Sequence, residues 1–321
     1  MNNSECRICN NTRGNKIVKA KEKMFGTGDE FNYLECSYCG CLQLVDIPAN
    51  MNKYYSFKYY SFSGELIDIK YNVKYFLRKR RLKHLLDKNN LIGYISQRIF
   101  GKITFVDWLI NSNCKSYYKI LDVGCGKGQR LFEFRNQGFK NLAGIDNYIE
   151  KDIIYENGIR IYKKDILNED NKYDFIMFHH SFEHISDPFE TLKKTYALLN
   201  NDRFALIRIP VAAFAYRKYG VNWVQLDAPR HLFLHTLKSM EIISEKCRFK
   251  IKKIIFDSNE FQFWGSEQYL RNINLFANNS YGVNPEESIF SKEQITEYSN
   301  EAVKLNESRD GDMACFYLYK N

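Results

Sequence analysis

Short apolar runs recur through the last two thirds of the chain, each closed by polar or turn-forming residues. Stretches 119–123, 142–145, 159–163, 173–178, 204–211, 249–256 and 313–319 are too short for helices, and most of them are largely apolar. They read as strands of a sheet covered on both faces. Between them the apolar spacing changes to three and four. Leu131, Phe132 and Phe134 follow the first run; Phe189, Leu192, Tyr196 and Leu199 follow Asp187-Pro188, an N-cap with proline at the first helical position. Such alternation predicts an open α/β sheet. Upstream, residues 65–110 carry helical spacing, with Val73, Phe76 and Leu77 and then Leu82, Leu85 and Leu86. The first 45 residues are turn-rich, with strand character at 16–19 and 31–34.

One junction carries chemistry. In YKILDVGCGKG, residues 118–128, a buried strand runs into a turn where Gly124, Gly126 and Gly128 alternate with Cys125 and Lys127. Glycines at this density let backbone approach a ligand, and the helix starting near Gln129 aims its first N–H groups at the same turn. A dinucleotide fingerprint requires glycine where Gln129 stands. Asp122 would repel a pyrophosphate and suits a ligand carrying an amine and a sulfonium. Asp146 closes the second strand about twenty residues beyond the glycines, where a carboxylate accepts hydrogen bonds from ribose hydroxyls. The plain alternative is a glycine-rich turn in an unrelated α/β protein.

The D-x-G-C-G-x-G run resembles motif I of the class I S-adenosylmethionine-dependent methyltransferases, and with later motifs the resemblance spans residues 118–319. It implies a Rossmann-like seven-stranded sheet whose last strand is antiparallel. It places Asp122, Gly124, Cys125, Gly126 and Gly128 at the cofactor, Asp165 near the adenine amine and Ile166 against the ring. The HHSFEHISDP run, 179–188, resembles the motif after the fourth strand in small-molecule methyltransferases, which sets His179 beside the cofactor. The 227–231 stretch, DAPRH, resembles a substrate-side loop of bacterial enzymes that act on sugars and carry a zinc-binding head. In those enzymes a tyrosine-rich connector, resembled here by 45–62, can cover the cofactor site.

Five of the six histidines, His179, His180, His184, His231 and His235, fall in the two loops expected to flank the methyl group. Histidine is the natural base at neutral pH, so His180, His231 and His184 are the candidate catalytic residues; structural roles and the absence of any protein base are the alternatives. Arg230 reads either as a clamp for an anionic substrate group or as a surface salt bridge.

Cysteine usage adds a metal. Cys6-x-x-Cys9 and Cys36-x-x-Cys39 are two knuckles that together close a tetrahedral, structural zinc site; free or redox-active thiols are the alternative. Three regions follow: 1–45 a zinc-ribbon-like module, 46–112 an aromatic connector and basic helical stretch, and 113–321 the methyltransferase domain, with 259–309 a cap.

Charge is concentrated. The chain carries a formal +9, and residues 70–102 hold ten Lys or Arg against Asp87 alone. RKRRLK at 78–83 reads as a solvated helix face, or as a contact for an anionic substrate, a membrane surface or RNA phosphates. No apolar run reaches the length of a membrane span and the amino terminus lacks a signal-peptide core, so a cytoplasmic location is expected. The functional expectation is methyl transfer to a small molecule, a carbohydrate or nucleotide-activated sugar. An RNA methyltransferase and a non-catalytic protein of the same fold are the alternatives.

Overall fold

The computed structural model describes residues 5–55, 73–87, 91–101, 103 and 105–321. The aromatic connector beyond Tyr55 and the start of the helical stretch, 65–72, lie outside these.

The amino-terminal module is a small sheet of β1 (Lys16–Lys21), β2 (Glu30–Glu35) and β3 (Leu42–Leu44), antiparallel throughout. Upstream of the main sheet, α1 (Val73–Asp87) and α2 (Leu91–Phe100) pack closely, followed by α3 (Val106–Asn111). Gly93 permits the approach, since a Cβ there would sit 2.1 Å from the Arg80 carbonyl oxygen. The basic run is not uniformly a solvated face. Arg81 is buried and donates to the Phe100 and Gly101 carbonyls and to Gln137.

The main sheet uses β4 (Ile120–Val123), β5 (Leu142–Ile145), β6 (Ile153–Ile154), β7 (Arg160–Tyr162), β8 (Tyr173–His179) and β9 (Leu199–Pro210), then, beyond the two-residue β10 (Phe233–Leu234), β11 (Lys250–Phe256) and β12 (Met313–Lys320). Its order is β11-β12-β9-β8-β4-β5-β7-β6. β7, β5, β4, β8 and β9 are parallel, and β12 runs antiparallel to both β9 and β11. This is the seven-stranded plan expected, with the two-residue β6 added antiparallel at one edge.

The central strands β4, β8 and β12 are buried on both faces, which explains their apolar runs, whereas the edge strand β11 leaves Lys250, Lys252 and Lys253 exposed. Ile120, Phe175, Met177 and Leu206 face the core shared with α3 and α4 (Gln129–Arg135). Leu121, Val123, Ile176, Phe178 and Ile207 face the core shared with α5 (Pro188–Leu198). Asp187 caps α5 as expected, but Leu199 opens β9 instead of closing the helix. The later helices are α6 (Phe214–Tyr219), α7 (Leu237–Lys246), α8 (Phe261–Leu270) and α9 (Lys292–Glu307). Within 259–309, α8 and α9 pack together through Phe263 stacked on Tyr298 at 5.1 Å.

The module does not stand apart. β10 pairs antiparallel with β3, so the amino-terminal sheet is completed by a strand from the loop after β9. One apolar core runs through both, from Cys6, Ile8 and Tyr33 to Phe233 and Met240. Arg230 corrects both readings made for it. It is fully buried, donates to Asp227, to Glu22 at 2.9 Å and to the Tyr54 carbonyl at 3.0 Å, and is neither a clamp open to substrate nor a surface ion pair. Burial opposes charge on Arg230 and Asp227, yet their mutual attraction outweighs it, raising the guanidinium's pKa and lowering the carboxyl's.

Replacing Arg230 by alanine leaves Asp227 and Glu22 buried without their cation. Arg230→Ala is expected to lose about 3–5 kcal/mol of stability, read as a lower midpoint in urea unfolding.

Candidate functional site

The chain adds β5 and β7 on one side of β4 and then crosses to place β8 on the other. The crevice outside the carboxyl ends of β4 and β8 is therefore a topological switch point, where open α/β sheets bind ligands. A cavity of about 950 Å³ opens there.

Its floor is the glycine turn. Gly124, Gly126 and Gly128 have φ of 72°, 54° and 85°, the left-handed region that side chains resist. A Cβ on Gly124 would lie 2.5 Å from that of Ser181, whose hydroxyl donates to the Val123 carbonyl at 2.6 Å. Gly124 lines the cavity, whereas Cys125, Gly126 and Gly128 shape the turn from beneath. Cys125 packs against Gly144, where a Cβ would meet its sulfur at 2.4 Å.

Asp146 reaches the cavity wall and is locked by backbone, accepting from Gly126 N at 2.8 Å and from Tyr148 N at 2.7 Å. Each oxygen retains a second lone pair. Asp165 caps the following turn through Leu167 N at 2.8 Å, and its other oxygen accepts from Asn147 Nδ2 at 2.7 Å. Ile166 is buried behind it, also at the wall. Asn147 and Tyr148, which no motif singled out, owe their place to following Asp146 directly. Tyr55 lines the open side and stacks on Tyr148 at 5.8 Å.

Asp122 stands apart from the cavity lining and is almost wholly buried. Burial pushes its carboxyl up to about 7; Arg130 pulls the other way and Asp146 adds to the rise. His179, expected beside the cofactor, shares the other face of the sheet, 4.8 Å from the Trp108 ring, and burial keeps it well below the usual histidine range. Strand alternation is the reason: His179 follows Phe175 and Met177 onto that face, and His180 is the first residue free to turn into the crevice.

The other histidines of the two loops gather around Glu183. His180, at a left-handed φ of 54°, contacts Arg208 through Nε2 and lies 3.7 Å from Glu183 through Nδ1. His184 lines the cavity, while His231 is buried behind it with ring centroids 4.8 Å apart. His235 is buried between Phe182 and Phe233 and acts in packing. A smaller cavity of about 240 Å³, walled by Arg208, Asp257 and Asp312, shares His180 with the larger one.

The four cysteines converge 3.6 Å apart for Cys6–Cys39 and 3.4 Å for Cys9–Cys36, with all four sulfurs within 4.8 Å. These separations are too long for disulfides and match the roughly 3.8 Å edges of a tetrahedron of thiolates about 2.3 Å from zinc. The donor set fits zinc, with a filled sphere that leaves no position for substrate.

A family profile described as a methyltransferase domain matches residues 70–252, more than half of the chain. The chain belongs to this methyltransferase family. Its cofactor, by the fold, is S-adenosylmethionine. Solved structures of similar fold include the cyclopropane synthase MmaA2 from Mycobacterium tuberculosis, 16% identical over 64% of this chain and 78% of that one, TM-score 0.40. A SAM-dependent methyltransferase from Archaeoglobus fulgidus is 19% identical over 68% and 100%, TM-score 0.38. The YcgJ protein from Bacillus subtilis is 15% identical over 67% and 97%, TM-score 0.42. No curated protein sequence matches the chain. Among the described residues of the methyltransferase no helix is long and apolar enough to cross a membrane.

A methyl group at Gly124 combines a disfavoured φ with the Ser181 collision. Gly124→Ala is expected to cost the methyltransferase about 1–3 kcal/mol, measured by thermal unfolding.

Proposed function

We propose that this methyltransferase transfers the methyl group of S-adenosylmethionine to a small polyhydroxylated molecule, a carbohydrate or nucleotide-activated sugar. The observation that carries the reading is the second cavity, which shares His180 with the larger one and is walled by Arg208, ion-paired with Asp257 at 2.7 Å, and by Asp312, which accepts from Trp223 Nε1; Asp257 Oδ1 is a buried acceptor with no partner among the described residues. Hydroxyl-rich ligands are recognised by such groups. An extended nucleic acid strand calls instead for a basic groove with stacking aromatics.

In this reading Asp146 accepts from the ribose hydroxyls, while Asp165 with Asn147 faces the adenine and Ile166 packs on it. Tyr55 and Tyr148 close the open side and exclude water, which favours transfer from a cationic donor. Gly124 lets the donor's methionine part lie close to backbone. Asp122 acts through its field from beneath the turn. The acceptor lies on the Glu183 side, where His180, His184 and His231 form the activating group, His180 and His184 reaching the crevice. Zinc on Cys6, Cys9, Cys36 and Cys39 supplies cross-linking of the module, whose β3 holds the loop that carries His231. A cytoplasmic location accords with a soluble sugar nucleotide as acceptor.

The ionisation of Asp122 sets a pH dependence. The cationic cofactor prefers the charged carboxylate, so affinity should rise with pH, by up to about tenfold per unit, and level off above about 7. Titration calorimetry should show this for the native protein and a flat profile for Asp122→Asn. In the free protein the sign is opposite. The unfolded carboxyl ionises near 3.8 and the folded one near 7, so this group's contribution to stability is lost as pH rises between them.

The acceptor is identified by incubating the protein with methyl-labelled cofactor and a cell extract, then following label by mass spectrometry. Label in the sugar or sugar-nucleotide fraction is the expected result. Label confined to RNA or protein would overturn the assignment.

A further inference from the structure

Glu183 sits in the short turn Phe182–His184 after β8, fully buried, and neither of its carboxylate oxygens has a hydrogen-bond partner among the described residues. A carboxylate withdrawn from water without partners is costly, and a protein that keeps one is holding it for something. What surrounds it is a set of imidazoles. Nε2 of His231 is 3.9 Å from Oε1, and one nitrogen each of His184 and His231 lies within 4.8 Å of a Glu183 oxygen and of the other.

The protons on these rings are settled from outside. His184 Nδ1 lies 2.8 Å from the Arg230 carbonyl oxygen, and His231 Nδ1 lies 2.7 Å from that of Gln225. A carbonyl oxygen can only accept, so both rings carry a proton on Nδ1, and in the neutral ring Nε2 is the nitrogen with the lone pair; that of His231 also lies 3.9 Å from Asp227 Oδ2. Two imidazoles, each steadied at the far nitrogen by a backbone carbonyl and flanking an unmatched carboxylate, form the arrangement by which proteins aim metal ligands.

We propose that Glu183, His184 and His231 bind a divalent first-row transition-metal ion, a site separate from the four cysteines. Two imidazoles and one carboxylate suit zinc or iron(II) better than magnesium or calcium, which favour all-oxygen shells. Ligand atoms around one such ion stand roughly 3 Å apart, and the three side chains, whose ligand atoms lie within 4.8 Å of one another, would close on it by side-chain rotation. Three protein ligands leave coordination positions open, and His184 sets the site against the cofactor cavity. An acceptor oxygen is the group that an open position there would take. The site stands whatever the acceptor proves to be, because its test reads metal and not methyl transfer.

The full-length protein is saturated with zinc, desalted and analysed for bound metal, alongside Glu183→Gln and His231→Gln. Wild type is expected to hold one equivalent more than either variant, with the variants' circular dichroism unchanged. Equal metal content in all three overturns the proposal. A second measurement needs no variant. Cobalt(II) added to the zinc-saturated protein should exchange into the site and give two strongly shifted imidazole N–H resonances in the proton spectrum, one from each Nδ1–H. Cobalt that binds without them, or fails to bind, overturns it equally.

Discussion

A single guanidinium holds three parts of this molecule in register. Arg230 reaches Glu22 in the amino-terminal module, the Tyr54 carbonyl in the connector and Asp227 in its own loop, with no exposure to water. Its planar donor fork reaches three partners in different directions from three separate nitrogens, where a lysine has one. Its own carbonyl oxygen then accepts a hydrogen bond from His184 Nδ1. One buried cation thus fixes the position of the module, the connector that walls the cavity and the orientation of a ring at the site.

The dependence extends through β10. Because Phe233 and Leu234 pair with β3, the loop bearing Asp227, Arg230 and His231 is held between two sheets. Tyr33 of the module adds a hydrogen bond from its hydroxyl to the His231 carbonyl at 2.9 Å, and Thr236 donates to the Cys39 carbonyl, in the second cysteine knuckle, at 2.5 Å. The cysteine cluster and the histidine cluster are therefore mechanically continuous, though each has its own chemistry. On the other side of the crevice the geometry is local: Gly124, Asp146 and Asp165 are set by β4, β5 and the turn after β7.

That division explains what could be read in advance. The glycine turn, Asp146 and the cap at Asp187 arise from contacts between residues close in sequence or on adjacent strands, so spacing exposes them. Residue His179 shows the limit. The resemblance of the HHSFEHISDP run placed it beside the cofactor, but a strand turns successive side chains to opposite faces, and His179 lies against Trp108. Glu183 shows the converse. It stands in the same polar run as three histidines, and nothing in its spacing announces a buried carboxylate without partners. Arg230 looks like any loop arginine until Glu22, some two hundred residues away, is brought to it.

By itself the amino-acid sequence determined the sheet, the glycine turn, the two cysteine knuckles and the clustering of histidines, because apolar periodicity, glycine conformation and short ligand spacing are local physical constraints. Only the tertiary structure decided which of those side chains meet. Burial of Arg230, the shared sheet between module and loop, and the gathering of His184 and His231 about Glu183 depend on contacts between distant segments. Their energies come from excluding water around charges that the sequence places far apart.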